Sequence, residues 1–279
     1  MVGGGETQPT FCAAIYDPNG SLRGTAIVID SRHAITAAHV LSNPGPLTQV
    51  EVENSRLERC SATRVLADDC GVVEEDVHHD IALLHLDVPQ RGAAAAIMTG
   101  YNDDLSARLK GSRVRAVGYP KDGGGCCLTM DLGIVKSTET QQGRGLLRLQ
   151  VDGGVGQGYS GGPIVLDERR DVVVGMSAMA GRGYPQTEAL GSDLLLRFLN
   201  QYAASGVRVK CLDAAEVLSR LKASEAGSRG ASEQSSDIDQ ANANARQPSG
   251  HVISTGSIKA GRDVIIGSEV RRGDSGGKN

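Results

Sequence analysis

The sequence predicts an all-β fold, a sandwich or a barrel, and three observations carry that expectation. Short runs rich in Val, Ile, Ala and Thr recur from Thr10 onward, each run is closed by Gly, Pro, Asn or Asp, and no extended helical periodicity appears before about residue 190. The chain has 279 residues, 39% of them hydrophobic, which is enough for a sizeable core. With no tryptophan and only two phenylalanines, that core has to be built from Val, Leu, Ile and Ala.

The elements follow in order. Phe11-Cys12-Ala13-Ala14-Ile15-Tyr16 runs into the turn Asp17-Pro18-Asn19-Gly20, and Gly24 to Ile29 forms the next strand. After the turn Asp30-Ser31-Arg32 comes a strand from His33 to Thr36 that ends in Ala37-Ala38-His39-Val40, before a Pro/Gly loop at Asn43 to Pro46. Further strands are expected over Gln49–Glu53 and Ser61–Leu66. An acidic stretch, Glu74-Glu75-Asp76, precedes His78-His79-Asp80, where a carboxylate opens the apolar run Ile81 to Leu86. Val114 to Pro120 is a strand with a firm stop. Past the loop Gly123-Gly124-Gly125, the pattern predicts strands over Cys127–Met130, Leu132–Ser137, Gly145–Val151, Ile164–Leu166 and Val172–Met176.

Helical signals come late. Ser192 or Asp193 is placed to cap Leu194–Tyr202, and Asp213 to cap Ala214–Lys222, with Val217, Leu218 and Leu221 on one face. From Ser224 to Gly250 the composition turns to Ser, Ala, Gln, Asn and Gly, as in a disordered linker. Beyond it Val252, Ile258, Val264 and Val270 recur every six residues, with glycines at 256, 261 and 267. Two readings fit that tail: a coiled β-solenoid that needs self-association or a partner, and a merely β-prone segment.

Net charge is −4, which argues against nucleic acid or an anionic membrane as the main partner. The start, Met1 to Glu6, lacks the basic and apolar regions of a secretory signal. No apolar run approaches the roughly 20 residues of a membrane span. The expected location is the cytoplasm. Six cysteines without a CxxC pair point to neither a disulfide scaffold nor a zinc site. Cys12 and Cys211 suit burial as small hydrophobes; Cys60 and Cys70 stand without a partner pair, and the vicinal Cys126-Cys127 leaves a redox role open.

The chemistry centres on Gln157-Gly158-Tyr159-Ser160-Gly161-Gly162-Pro163. Glycines on both sides of Ser160 permit a tight turn, and the amides of Gly158 and Ser160 could then face a developing oxyanion. A serine hydroxyl needs a base to take its proton. His39 and Asp80 supply a histidine and a carboxylate upstream, whereas His33, His78, His79 and His85 read as strand or loop histidines. A metal cluster at His78-His79-Asp80 is disfavoured, because neighbours on a strand point to opposite faces.

Together Thr36-Ala37-Ala38-His39-Val40, Asp80-Ile81-Ala82-Leu83-Leu84 and Gly158-Tyr159-Ser160-Gly161-Gly162-Pro163 resemble the three catalytic motifs of trypsin-like serine proteases, in their order His, Asp, Ser. Gly118-Tyr119-Pro120, Gly133-Ile134-Val135-Lys136-Ser137, Gln150-Val151-Asp152, Val174-Gly175-Met176-Ser177 and a closing helix over Ala189–Tyr202 are similar to the bacterial branch that includes the HtrA protease domain. No PDZ-like region follows residue 224.

The resemblance implies two antiparallel six-stranded β-barrels with C-terminal helices and a flexible tail. It divides the chain into a protease domain at 1–210, a helix at 211–224, a disordered linker at 225–250, a hexad-repeat tail at 251–270 and a disordered end at 271–279. It implies a cofactor-independent and metal-independent serine endopeptidase acting on protein or peptide. Ser160 would be the nucleophile, His39 the base, Asp80 its orienting partner, and the Gly158 and Ser160 amides the oxyanion hole. Gly154, Ser177, Ala178, Met179 and Ala180 would line the substrate pocket. None of these supplies a carboxylate, so a small or medium apolar residue is expected at the cleavage site; Asp152 reaches the pocket only if its loop folds differently.

Val2-Gly3-Gly4-Gly5 resembles the terminus that activates trypsin-type zymogens. The aspartate that pairs with such an amine is replaced by Tyr159, so the oxyanion loop must be organised otherwise. Recruitment or clustering through 251–270 would suit a bacterial effector protease. The competing reading is a pseudoprotease that keeps the fold as a binding or scaffold module.

Overall fold

The computed structural model describes residues 9–42, 49–54, 58–65, 80–90, 94–100, 107–121, 128–141, 146–152, 156–180, 186–202 and 206–221. The expectations for Val2–Gly5, Glu74–His79, Gly123–Cys127, Gly154, and the linker and tail from 225 onward lie outside those residues.

Six strands close into a first barrel: β1 (Cys12–Tyr16), β2 (Leu22–Val28), β3 (His33–Thr36), β4 (Gln49–Asn54), β5 (Arg59–Val65) and β6 (Ala82–Leu86), in the order β1-β2-β3-β6-β5-β4. Small residues let β1 be buried along its whole length, whereas β4 alternates, with Val50 and Val52 inward and Glu51 and Glu53 turned toward solvent. The β1–β2 turn closes as its residues predict. Asp17 Oδ1 accepts from the Asn19 and Ser21 amides at 2.9 Å each, and Gly20 takes a left-handed φ of 80°.

The second unit comprises β7 (Ala96–Thr99), β8 (Arg113–Gly118), β9 (Thr129–Gln141), β10 (Leu146–Asp152), β11 (Pro163–Leu166), β12 (Val172–Ala180), β13 (Gln186–Gly191) and β14 (Lys210–Asp213). Its sheet order is β11-β8-β9-β10-β13-β12-β7-β14, and a β11–β12 pairing closes the first six of these into a ring. Two barrels are therefore present, as expected. The second carries an addition: β7 runs parallel to both β12 and β14, so the pairing is not wholly antiparallel. The core is aliphatic, and both phenylalanines, Phe11 and Phe198, are buried in it.

Other departures have local reasons. Cys127–Met130 and Leu132–Ser137 are expected as two strands, but one 13-residue strand, β9, runs unbroken from Thr129 to Gln141. Its first half pairs with β8 and its second with β10, so no break is needed. The strand from Val172 runs on to Ala180 because β13 pairs with its far end. Residues Ala189 to Gly191 belong to β13, not to the closing helix, which spans Ser192–Asn200. Neither Ser192 nor Asp193 is the N-cap; that position is extended Gly191, with no side-chain cap hydrogen bond. The second cap is as the sequence predicts. Asp213 Oδ1 accepts from the Glu216 amide at 3.1 Å, and the helix over 214–221 buries Ala214, Val217 and Leu218.

A carboxylate clasp ties the C-terminal segment to the first barrel. Asp30 accepts from the Arg32 amide at 2.7 Å and from the Arg208 amide at 2.9 Å, and it pairs with His33 Nδ1. Burial opposes ionisation, but the His33 bond and the two amides outweigh it and hold the carboxyl below its ordinary value of 3.8. Because the folded pKa is depressed, the stability from the clasp is full above pH 3.8 and is lost as pH falls through the folded value. The melting temperatures of wild type and Asp30→Asn should therefore converge below that pH. A gap that stays constant from pH 7 into the acid range would refute the clasp as a source of pH dependence.

Candidate active site

His39 sits one residue inside the short helix Ala38–Ser42, which starts where β3 ends. Asp80 lies just ahead of β6, the strand paired with β3, so the closure of the first barrel brings the two together. Asp80 holds His39 in two ways. Its Oδ1 accepts from the His39 backbone N–H at 2.8 Å, and its Oδ2 bonds the ring Nδ1. The Ala38 amide donates to the Asp80 carbonyl at 3.2 Å, fixing the carboxylate's own backbone. An ionised carboxylate can only accept, so the ring proton sits on Nδ1 and Nε2 keeps its lone pair. The His39 side chain is 40% exposed, so that lone pair can be reached from outside.

Ser160 stands on the loop between β10 and β11, tied on one side to β12 by the Gly161 amide on the Ser177 carbonyl at 2.7 Å. Gly158 has φ 104° and Gly161 φ 83°. A Cβ at Gly158 would lie 2.0 Å from the Tyr119 carbonyl oxygen, and one at Gly161 would lie 2.2 Å from both the Thr25 carbonyl and Thr36 Oγ1. Glycine is required at both positions for conformation and for space. The contact at Gly161 also seats the serine loop against the backbone leading into His39.

The four carbonyls from Gln157 to Ser160 are all engaged. The Gln157 oxygen accepts from the Lys121 amide at 2.9 Å, Tyr159 from the Gly162 amide at 2.7 Å, and Ser160 from the Thr25 amide at 2.9 Å. Thr25 Oγ1 donates to the Gly158 carbonyl at 2.6 Å and accepts from the Tyr119 amide at 3.1 Å. With each peptide plane pinned by its oxygen, the direction of the N–H on its other side is set. Among the described residues the Gly158 and Ser160 amides donate to no protein group, and Ser160 Oγ makes no hydrogen bond.

The remaining sequence-predicted residues divide clearly. Ser177 and Ala178 are buried on β12. Met179 and Ala180 continue that strand, and Gly154 lies outside the described residues. His33 pairs with Asp30 and stacks edge-on against His85 at 5.4 Å, away from His39. Cys12, Cys60 and Cys211 are free thiols. Burial raises the Cys12 pKa, so this thiol stays neutral. Thr25 was missed. It is fully buried and bonds both carbonyls flanking Tyr159, and its only sequence signal is a hydroxyl on an otherwise apolar inward run.

Two barrels of this topology define the chymotrypsin-like class. The family model of the trypsin-like peptidase domain matches residues 24–176, more than half of the chain, and the protein belongs to that family. Among solved structures, the inactive form of the Rv3671c protease of M. tuberculosis aligns at 20% identity and TM-score 0.52, covering 70% of this chain and 89% of that one. The HtrA-type protease AlgW with a decapeptide aligns at 19% identity and TM-score 0.54, covering 72% and 67%. The serine endoprotease from Yersinia pestis aligns at 20% identity and TM-score 0.53, covering 72% and 65%. No curated protein matches. At these identities the structural likenesses speak for the fold. Among the described residues no helix is long and apolar enough to cross a membrane.

Proposed function

We propose that this chain is a serine endopeptidase, and the observation that carries the reading is the double grip of Asp80 on His39, through both ring and amide. The His39 ring closes onto Ser160 when substrate seats, and Nε2 takes the hydroxyl proton as Oγ bonds to the scissile carbonyl carbon. The electron pair displaced from the C=O bond resides on the carbonyl oxygen, facing the Gly158 and Ser160 amides. When the tetrahedral species collapses, the C–N bond breaks and the amine leaves with the proton from His39. Water then repeats the sequence on the acyl-enzyme, with His39 again as base, and Ser160 regains its proton.

Gly154, Ser177, Ala178, Met179 and Ala180 form the pocket in this reading and favour a small or medium apolar residue at the cleavage site. The segment 251–270 recruits or clusters the protease, as befits an effector enzyme, through effective concentration. The test is labelling by a fluorophosphonate probe of wild type, Ser160→Ala and a chain ending at residue 224. Wild type labels and Ser160→Ala does not. Labelling confined to the shortened chain assigns the tail an inhibitory role. No labelling in either wild type or the shortened chain leaves the pseudoprotease or a protease awaiting its trigger, which partner pull-downs then separate.

A further inference from the structure

Tyr159, immediately before Ser160, is buried to 2% exposure although it carries a polar hydroxyl. Its ring packs in the second-barrel cluster with Ala116 and Ile164, and a Cβ on Gly118 would come within 2.8 Å of it. The hydroxyl crosses strand β8 to reach β9, where it donates to Asp131 Oδ2 and is bonded to Thr129 Oγ1. Those two partners, Asp131 as acceptor and Thr129 as donor, sit opposite Ala116 and Gly118 in the β8–β9 register, so the anchor lies on paired strands and not on a loop. Burial, reinforced by the bond to Asp131, holds the phenol pKa above its ordinary value, which keeps the hydroxyl a neutral donor.

The loop is thus held from two sides. Thr25 of the first barrel binds the carbonyls of Gly158 and Ser160, and Asp131 of the second holds the side chain between them. We propose that Tyr159 and Asp131 are positioning residues that keep the Gly158 and Ser160 amides aimed for an oxyanion, in place of a terminal amine paired with an acidic residue. This inference rests on Ser160 being the nucleophile, as proposed above. Neither residue touches the reacting atoms. Their part is to prevent the 158–160 backbone from rotating out of its bonded arrangement, which would cost the site its preorganised donors.

Two measurements on the full chain test this. In the first, Tyr159→Phe and Asp131→Ala each slow fluorophosphonate labelling of Ser160 about 10- to 100-fold, since loss of one oxyanion donor costs about 10²- to 10³-fold and the loop is loosened here, not deleted. The double variant is no slower than either single one, as expected of residues acting through one bond. Asp131→Asn, which keeps an acceptor oxygen, recovers most of the rate; a rate as low as that of Asp131→Ala overturns the role of the Asp131 oxygen. The second uses hydrogen–deuterium exchange of the 157–162 backbone in a Ser160→Ala background, where catalysis plays no part. Tyr159→Phe raises exchange there about tenfold, as for loss of a local anchor. Unchanged exchange, or wild-type labelling rates in Tyr159→Phe, overturns the inference. Faster exchange in a protein whose wild type never labels leaves the anchor standing and removes the protease reading alone.

Discussion

Asp80→Asn leaves the His39 ring in place and slows acylation of Ser160 by about 10⁴-fold, the loss seen when an orienting aspartate becomes an amide in a triad of this kind. The Asp80 carboxylate accepts from both the His39 amide and Nδ1. An asparagine would satisfy one contact with its oxygen and present N–H donors at the other. Facing a donor, Nδ1 must become the acceptor and the ring proton moves to Nε2, where it is directed at Ser160 and cannot take the hydroxyl proton. The loss is therefore one of tautomer, not of folding. Fluorophosphonate labelling rates, with melting temperatures to show that the fold is intact, measure it. A rate within tenfold of wild type would mean that Asp80 only packs His39, and the proposed division of roles would fall.

Gly161→Ala is expected to lower the melting temperature by about 10 °C and to slow labelling of Ser160. The left-handed backbone at φ 83° costs a β-carbon roughly 1–2 kcal/mol. The new atom also meets the Thr25 carbonyl and Thr36 Oγ1 at 2.2 Å and the Ala37 amide at 2.8 Å, all in the buried seam between the barrels. Overpacking of this kind adds about 1–3 kcal/mol, and each kcal/mol moves the midpoint by about 2–4 °C in a domain of this size. Gly20 serves as an internal control: its φ is 80°, but nothing lies within 4 Å of its Cβ position. Gly20→Ala bears the strain alone and should shift the midpoint by roughly two-fifths as much. Equal shifts in the two variants would show that the seam yields to the methyl group and that the close approach is not what holds the serine loop.

The local vocabulary of the fold was readable because each strand advertises itself over a few residues. His33–Thr36 forms a strand as expected, although the stretch through Val40 turns into the helix Ala38–Ser42, and Gln49–Asn54 shows the alternation that a half-buried strand requires. The cap at Asp213 was equally local, an acceptor three residues from its donor. β7 escaped notice because its four residues, Ala96 to Thr99, are too few to show a period, and its partners, β12 and β14, are far along the chain and parallel. The closing helix begins later than the sequence suggests because β13 leads into it without a break, at an extended glycine that offers no side-chain cap as a start signal.

At the site, the sequence alone determined which residues carry the candidate chemistry. His39, Asp80 and Ser160 each sit in a short motif whose spacing is covalent and visible. What tertiary structure decided is how those residues are held. Thr25 reaches Gly158 across 133 positions, and Tyr159 reaches Asp131 across 28. Such pairings leave no periodicity for a sequence to display, because they depend on two barrels closing separately and then packing. A buried hydroxyl must find an acceptor, but only the packed barrels determine which one lies within reach.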